Sequence, residues 1–303
     1  MVPIVLFVYR RVHSARTLLE VLISGGGMDD HPLYIFSDAP KNDSERGEVE
    51  IVRQYIKDVS GFKELHIVEA VSHKGLARSV IEGVSMVLLE HDSVIVLEDD
   101  LIPQPGFMDY MCRALDFYKN DRLVFSISGF SFGFVPPQGY RHDVYALTRG
   151  CSWGWATWRD RWEAVDWNTR TYVDLLEDRA FWRSLTSSGS DLGPMLLKQD
   201  RRKVDSWAIR CYCHQVRHAL VTIYPVHSLV LNIGFDDMAT HTNVYNRYRS
   251  RSFPHSSKRI GFVHIDGPDS YFQKALRRKF SIARRMVEGR ILTFLKRIGV
   301  FAG

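Results

Sequence analysis

The chain has 303 residues, 45% hydrophobic and 25% charged, with 40 Lys or Arg against 35 Asp or Glu and a formal net charge of +5. That length suits one large domain or two small ones, at roughly 150 residues each, and the balance is that of a globular chain rather than a disordered one. Four cysteines, two of them the C-x-C pair Cys211 and Cys213 with no second pair at zinc spacing, exclude a disulfide framework and a zinc ribbon, and no apolar run reaches the roughly 18 residues of a membrane span.

Residues 3–9 read as a buried strand, and 15–23 as a helix with Leu18, Leu19, Leu22 and Ile23 at helical spacing, stopped by Gly25, Gly26 and Gly27. A second strand over 32–36 ends at Ser37-Asp38, a polar helix covers about 44–59, and a third strand covers 65–68. After Gly75 the stretch 76–90 predicts a helix with Leu76, Val80, Val84, Val87 and Leu88 inward. A strand over 93–97 then runs into Glu98-Asp99-Asp100. Apolar strands alternating with helices predict a mostly parallel α/β sheet covered on both faces, with ligands beyond the carboxyl ends of the strands. Those ends carry Arg10, Arg11, Asp38 and the acidic triplet. The second half is less regular, and all seven tryptophans lie between 153 and 207.

Three consecutive acids at the mouth of a buried strand repel one another unless something positive sits nearby. A divalent cation with oxygen ligands does this, and a diphosphate would complete its shell. Val94-Ile95-Val96-Leu97-Glu98-Asp99-Asp100-Leu101, followed by Pro105-Gly106-Phe107, resembles the metal-binding motif of GT-A fold (Rossmann-like) glycosyltransferases, of the N-acetylglucosaminyltransferase I type and related bacterial sugar transferases. The resemblance runs from Pro3 to about His241. It implies a UDP-sugar donor and Mn2+ or Mg2+ held by Asp100, with Asp99 toward the sugar or ribose and Glu98 also among the cofactor-binding residues. It also implies nucleotide contacts from Arg11 and a uracil-reading Asp38. Tyr9-Arg10 departs from the Cys-Asp of the animal enzyme. Lys74 and Arg78 fall at a basic turn where either phosphate contact or a solvated turn is the expectation.

Further along, Cys151-Ser152-Trp153-Gly154-Trp155 resembles the family's donor-flanking aromatic segment. Rings suit the C–H faces of sugars, and Gly154 allows close backbone approach; the alternative for each tryptophan is core. Val204-Asp205-Ser206-Trp207 resembles the segment whose aspartate is the catalytic base of an inverting transfer. Asp205 reads equally as the N-cap of a helix over 206–217. Leu231-Asn232-Ile233-Gly234, then Asp236, Asp237 and His241, resembles the flexible loop that closes over the donor. Asp236 and Asp237 compete with Asp205 as base, and His241 is a candidate metal or phosphate contact.

From Arg247 onward there are 14 Lys or Arg and three acids, so this segment is +11 and the remainder −6. The domain expectation is therefore a GT-A catalytic unit over 1–246, with a nucleotide-binding half (1–110) and an acceptor and donor-sugar half (111–246), plus a basic extension over 247–303. Within it, 274–298 carries Leu276, Phe280, Ala283, Val287, Ile291, Phe294 and Ile298 as one apolar stripe flanked by basic residues. Such a helix suits an anionic membrane surface; docking on the body or on a second copy, as a homodimer, is the alternative. No nucleic-acid recognition motif accompanies the charge. The apolar run over 3–9 is too short for a signal peptide, so the expected setting is the cytoplasm, at the inner face of the membrane. The function implied is a metal-dependent inverting glycosyltransferase acting on a lipid-linked glycan acceptor in bacterial surface polysaccharide synthesis. A nucleotidyltransferase is the rival enzyme, disfavoured because Val8-Tyr9-Arg10-Arg11-Val12-His13 lacks a glycine-rich phosphate loop. A non-catalytic nucleotide- or sugar-binding module is the rival of another class.

Overall fold

The computed structural model describes residues 1–234, 259–284 and 286–287. The strands are β1 (Ile4–Val8), β2 (Leu33–Ser37), β3 (Leu65–Glu69), β4 (Ser93–Glu98), β5 (Leu101–Pro103), β6 (Val124–Ser128), β7 (Val144–Leu147), β8 (Trp155–Trp158), β9 (Val221–Pro225) and β10 (Val230–Asn232). The helices are α1 (Val12–Ser24), α2 (Arg46–Lys57), α3 (Leu76–Glu90), α4 (Phe107–Tyr118), α5 (Arg159–Glu163), α6 (Thr169–Asp174), α7 (Arg179–Ser187), α8 (Leu192–Asp200), α9 (Trp207–Arg217) and α10 (Ser270–Lys279). The first four strands and three helices fall where the sequence predicts them, with no end shifted by more than three residues.

Eight strands form one sheet in the order β3-β2-β1-β4-β8-β6-β9-β7. β1, β2, β3 and β4 are mutually parallel. β8 runs against both β4 and β6, β9 runs with β6, and β7 runs against β9. Six strands therefore point one way and two the other, which is the mostly parallel α/β sheet expected. Because β8 pairs directly with β4, the amino-terminal and central parts of the chain share this sheet.

Burial on both faces explains why β1 reads as an unbroken apolar run. Ile4, Leu6 and Val8 pack toward α1 and α4, through Leu18, Leu19, Phe107 and Met111. Val5 and Phe7 pack toward α3 and α9, through Val80, Val84, Trp207 and Ile209. A third, aromatic cluster holds Phe130, Phe132, Tyr145 and Tyr224.

Against that cluster lies α10, capped by Asp269, whose side chain accepts from the backbone of Tyr271 and Phe272. Phe272, Leu276 and Phe280 are fully buried there, and the Phe272 ring stacks on Tyr145 at 4.1 Å. This corrects the membrane reading at two positions: Leu276 and Phe280, the first members of the apolar stripe, face protein. Lys274, Arg277, Arg278 and Arg284 stay exposed. The later stripe members Ile291, Phe294 and Ile298 lie outside the described residues, and among those described no helix is long and apolar enough to cross a membrane.

If α10 is docked as described, Leu276→Ala removes a buried side chain and destabilises the fold by about 2–5 kcal/mol. Chemical denaturation of the two proteins in the absence of lipid measures this, and an unchanged midpoint would mean that Leu276 does not pack on the body.

Candidate active site at the mouth of β4

β4 lies in the middle of the sheet, with Glu98 opposite Phe7 of β1. The Asp99 amide extends the pairing by donating to the Phe7 carbonyl at 3.2 Å. Side chains alternate across a strand, so Glu98 shares a face with Val94 and Val96. Asp99 is only 4% exposed. Arg11, the residue before α1, reaches across from the end of β1 and pairs with Asp99 in a short hydrogen-bonded ion pair. The same guanidinium lies 3.3 Å from Asp100 Oδ2.

These contacts set the charge of the site. Part of Glu98 reaches solvent, yet its carboxyl is hemmed in by protein. Burial first, then the neighbouring Asp100 and Asp99 carboxylates, push it up to about 8. Burial raises Asp99 to about 6 against the opposing pull of Arg11. For Arg11 burial disfavours the charge, but Asp99 and Asp100 outweigh it and hold the guanidinium above its ordinary value. Something positive thus does sit beside the acidic triplet, as its like charges require. Arg11 supplies the positive charge, and Glu98 stays largely protonated near neutral pH.

Beyond Asp100 the chain enters β5, which pairs antiparallel with β10 through Leu101↔Asn232. The Ile233 amide donates to the Asp100 carbonyl at 2.9 Å. Leu231 and Asn232, expected in a flexible loop, are therefore strand residues fastened to the acidic triplet. Asp236, Asp237 and His241 lie outside the described residues.

Asp38 is buried at the end of β2, and the chain's own donors surround its carboxylate. Oδ1 accepts from the amides of Ala39 at 2.8 Å and Lys74 at 2.9 Å. Oδ2 accepts from the Gly75 amide at 2.9 Å and faces His73 Nδ1 at 2.9 Å. These bonds make Asp38 a staple for the turn before α3. Lys74 Nζ and Arg78 Nε both bind Glu82, each at 2.6 Å. The two basic residues are brought together, but around a glutamate at the surface.

The aromatic segment divides. Trp155 is 2% exposed, opens β8, and stacks on Trp207 at 4.8 Å and Trp162 at 5.5 Å. It is core, which corrects its expected place beside a sugar. Trp153 is half-buried, its ring edge-on to Phe130 at 4.6 Å. Gly154 has a φ of +61°, and a Cβ there would lie 2.8 Å from Val230 Cγ2 and 3.3 Å from the Phe107 ring. Glycine is required, as expected for close approach, but the approaching group is β10.

Asp205 is 62% exposed by side chain and pairs with Arg210 at 3.2 Å. The N-cap of α9 is Ser206, whose side chain accepts from the Ile209 amide, so the cap reading of Asp205 is corrected by one residue. β9 follows α9 and runs parallel to β4, so α9 begins at the edge where β4 ends, and Asp205 shares that edge with the triplet. Gln199 of α8 holds this junction: its Oε1 accepts from the Ser206 amide at 2.7 Å and its Nε2 lies 3.4 Å from Asp205 Oδ1. Nothing local in the sequence marks Gln199, because its partners lie in the next helix.

No family model and no curated protein matches the chain. Among solved structures it is similar to S. aureus TarS 1-349, with 10% identity, a TM-score of 0.38, and coverage of 75% of this chain and 58% of that one. It is similar to TarS 1-349 in complex with UDP-GlcNAc, at 12% identity and TM-score 0.33, over 47% of this chain and 38% of that one. An active-site mutant of LgtC gives 8% identity and TM-score 0.36, over 58% and 65% of the two chains. The chain thus spans less than two thirds of the TarS structures, and likenesses of this size decide nothing about activity.

A carboxyl whose folded pKa is raised stabilises the fold fully below its unfolded pKa and loses that contribution as pH rises through the folded one. Glu98 therefore makes stability decline between about pH 4.5 and pH 8. Glu98→Gln, which cannot ionise, should flatten this part of the profile in denaturant titrations across that range. Identical slopes would show that Glu98 ionises as freely folded as unfolded.

Proposed function

We propose that this chain is a metal-dependent, inverting glycosyltransferase of the GT-A type that moves a sugar from a UDP-sugar to a hydroxyl of a glycan acceptor. One observation carries the reading: the Arg11–Asp99–Asp100 cluster stands at the carboxyl end of a central parallel strand. This is where open α/β sheets bind ligands. The motif ending in that cluster is also the one that resembles nucleotide-sugar transferases.

The cluster's chemistry suits a diphosphate. A guanidinium held between two carboxylates is pre-charged and has donors to offer, since arginine presents five N–H groups in a planar fork. In the transfer Arg11 turns part of that fork toward the leaving diphosphate and stabilises the charge that develops on it. Asp205 accepts the proton of the acceptor hydroxyl. The acceptor oxygen bonds to the anomeric carbon from the face opposite the diphosphate, and the anomeric carbon–oxygen bond breaks with its electron pair leaving on UDP.

Among the described residues no three of His, Cys, Asp and Glu are grouped so as to hold a metal by themselves. A Mg2+-type site needs only one or two carboxylates and takes the rest of its shell from substrate phosphates and water. Asp100, a hard-oxygen group that is 18% exposed, fits that role, with Asp99 already engaged by Arg11. When bound, the ion would add to the neutralisation of the diphosphate. We further propose a lipid-linked acceptor in bacterial surface polysaccharide synthesis, reached from the cytoplasmic side. The exposed Lys274, Arg277, Arg278 and Arg284 are groups that anionic lipid headgroups attract.

Calorimetric titration with UDP and with GDP, each with and without Mn2+, tests the donor class. The expected result is Mn2+-dependent binding of UDP that is lost in Asp100→Ala. GDP binding in place of UDP would overturn the donor, and no binding of either would overturn the glycosyltransferase reading. For the base, Asp205→Asn should leave UDP affinity unchanged while slowing transfer by about 10²–10⁴-fold; an undiminished rate would remove Asp205 from the mechanism.

A further inference from the structure

We propose that Gly234 is a positioning residue for Asp100: the missing Cβ is what allows the Asp100 carboxylate to stand beside Arg11. The Gly234 backbone lies directly over that carboxylate. A Cβ on Gly234 would come 3.0 Å from Asp100 Cγ and 3.1 Å from Asp100 Cβ, and closer still to Oδ2. The contacts to Cγ and Cβ are tight, and the one to Oδ2 is closer than real Cβ atoms show, so something must shift. The demand for glycine here is therefore spatial.

The backbone leading into Gly234 is tied down. The Gly234 amide donates to Asn232 Oδ1 at 2.8 Å, the Ile233 amide donates to the Asp100 carbonyl at 2.9 Å, and Asn232 is in register with Leu101 across the β5–β10 pair. These ties resist a retreat of the backbone at 234 from Asp100. The group that yields to an added methyl is the end of the Asp100 side chain. Its Oδ2, the atom nearest the new Cβ, is also the atom 3.3 Å from the Arg11 guanidinium. A methyl at 234 thus pushes Asp100 off Arg11 and off the place from which it would meet a cation and diphosphate.

The functional consequence rests on the nucleotide-sugar reading above, while the positioning contact does not, and two measurements separate them. The first is a thermal-melt cycle of wild type, Gly234→Ala, Asp100→Ala and the double variant. The Tm change caused by Gly234→Ala should differ between the wild-type and Asp100→Ala backgrounds by about 2 °C or more, as expected for an interaction of about this size in a domain of this length. Equal changes in the two backgrounds would overturn the positioning role whatever the protein binds. The second is UDP titration in Mn2+. Gly234→Ala should weaken binding at least tenfold while remaining folded, and should cause no further loss when added to Asp100→Ala. Wild-type affinity in Gly234→Ala, or the same loss in both backgrounds, would overturn the route through Asp100. A wild type that binds no UDP overturns the nucleotide reading instead, and the melt cycle still decides the contact. If Gly234→Ala fails to fold while the double variant folds, the clash with Asp100 is itself demonstrated; if both fail, the site of strain lies elsewhere and the proposal falls.

Discussion

The structure turns on one guanidinium. Arg11 leaves the end of β1 and meets Asp99 and Asp100 at the end of β4, and this is possible because the two strands are parallel neighbours in register from Ile4↔Ile95 to Phe7↔Glu98. Taking carboxylates out of water is costly unless a partner compensates, and the compensation here is uneven. Asp99 and Asp100 share the arginine. Glu98, on the opposite face of the strand, has burial and two negative neighbours against it, and it responds by holding its proton. The triplet therefore carries less charge than its formula suggests. What remains is oriented: a pre-charged fork beside an accessible carboxylate, at the open edge of the sheet.

The β5–β10 pair extends that order along the chain. Two three-residue strands from positions more than a hundred residues apart close over the triplet, and Gly154 is packed beneath β10 against Val230. The acidic triplet is thus bordered by a segment far from it in sequence. Asp205 is organised by the same economy: Gln199 and Arg210 fix its approach to α9, and the direction of β9 fixes the edge on which it stands.

The first hundred residues were legible because β1, β2 and β4 are buried on both faces and each helix shows its apolar positions at helical spacing. α3 is bounded as the sequence predicts, after Gly75, whose φ of +76° ends the preceding turn. The acidic triplet was legible as a site, but its counter-ion was not: Arg11 is 88 positions away, and only strand order brings it in. Asp38 was legible as a strand-end acid, and the resemblance pointed it at a base. Apart from the adjacent Ala39 amide, its donors sit about 36 positions downstream in the turn before α3, a pairing with no local signature. The tryptophans failed in the same way. Trp155, Trp162 and Trp207 make one buried stack, and nothing in W-G-W-A-T-W separates a core stack from a sugar platform, because both need wide apolar rings.

The basic tail shows why amphipathicity alone cannot name a partner. An apolar stripe edged with Lys and Arg satisfies a lipid interface, where the stripe inserts and the charges reach headgroups. It satisfies a protein surface equally well if an apolar patch of matching width is available. Here one is: Phe130, Phe132, Tyr145 and Tyr224 form an aromatic floor, and Phe272, Leu276 and Phe280 fill it. Each such side chain gains about 1.5–3 kcal/mol on burial, comparable with what insertion into lipid would offer. Docking on the same chain needs no second molecule to be captured, so the protein surface wins for these residues. Within α10 itself, what this leaves outward is chiefly charge, from Lys274, Arg277 and Arg278. Any attraction of α10 to an anionic surface is then electrostatic, acting within about 8 Å at physiological salt and weakening as salt is raised, in contrast to an inserted helix, whose hold on the bilayer salt barely touches.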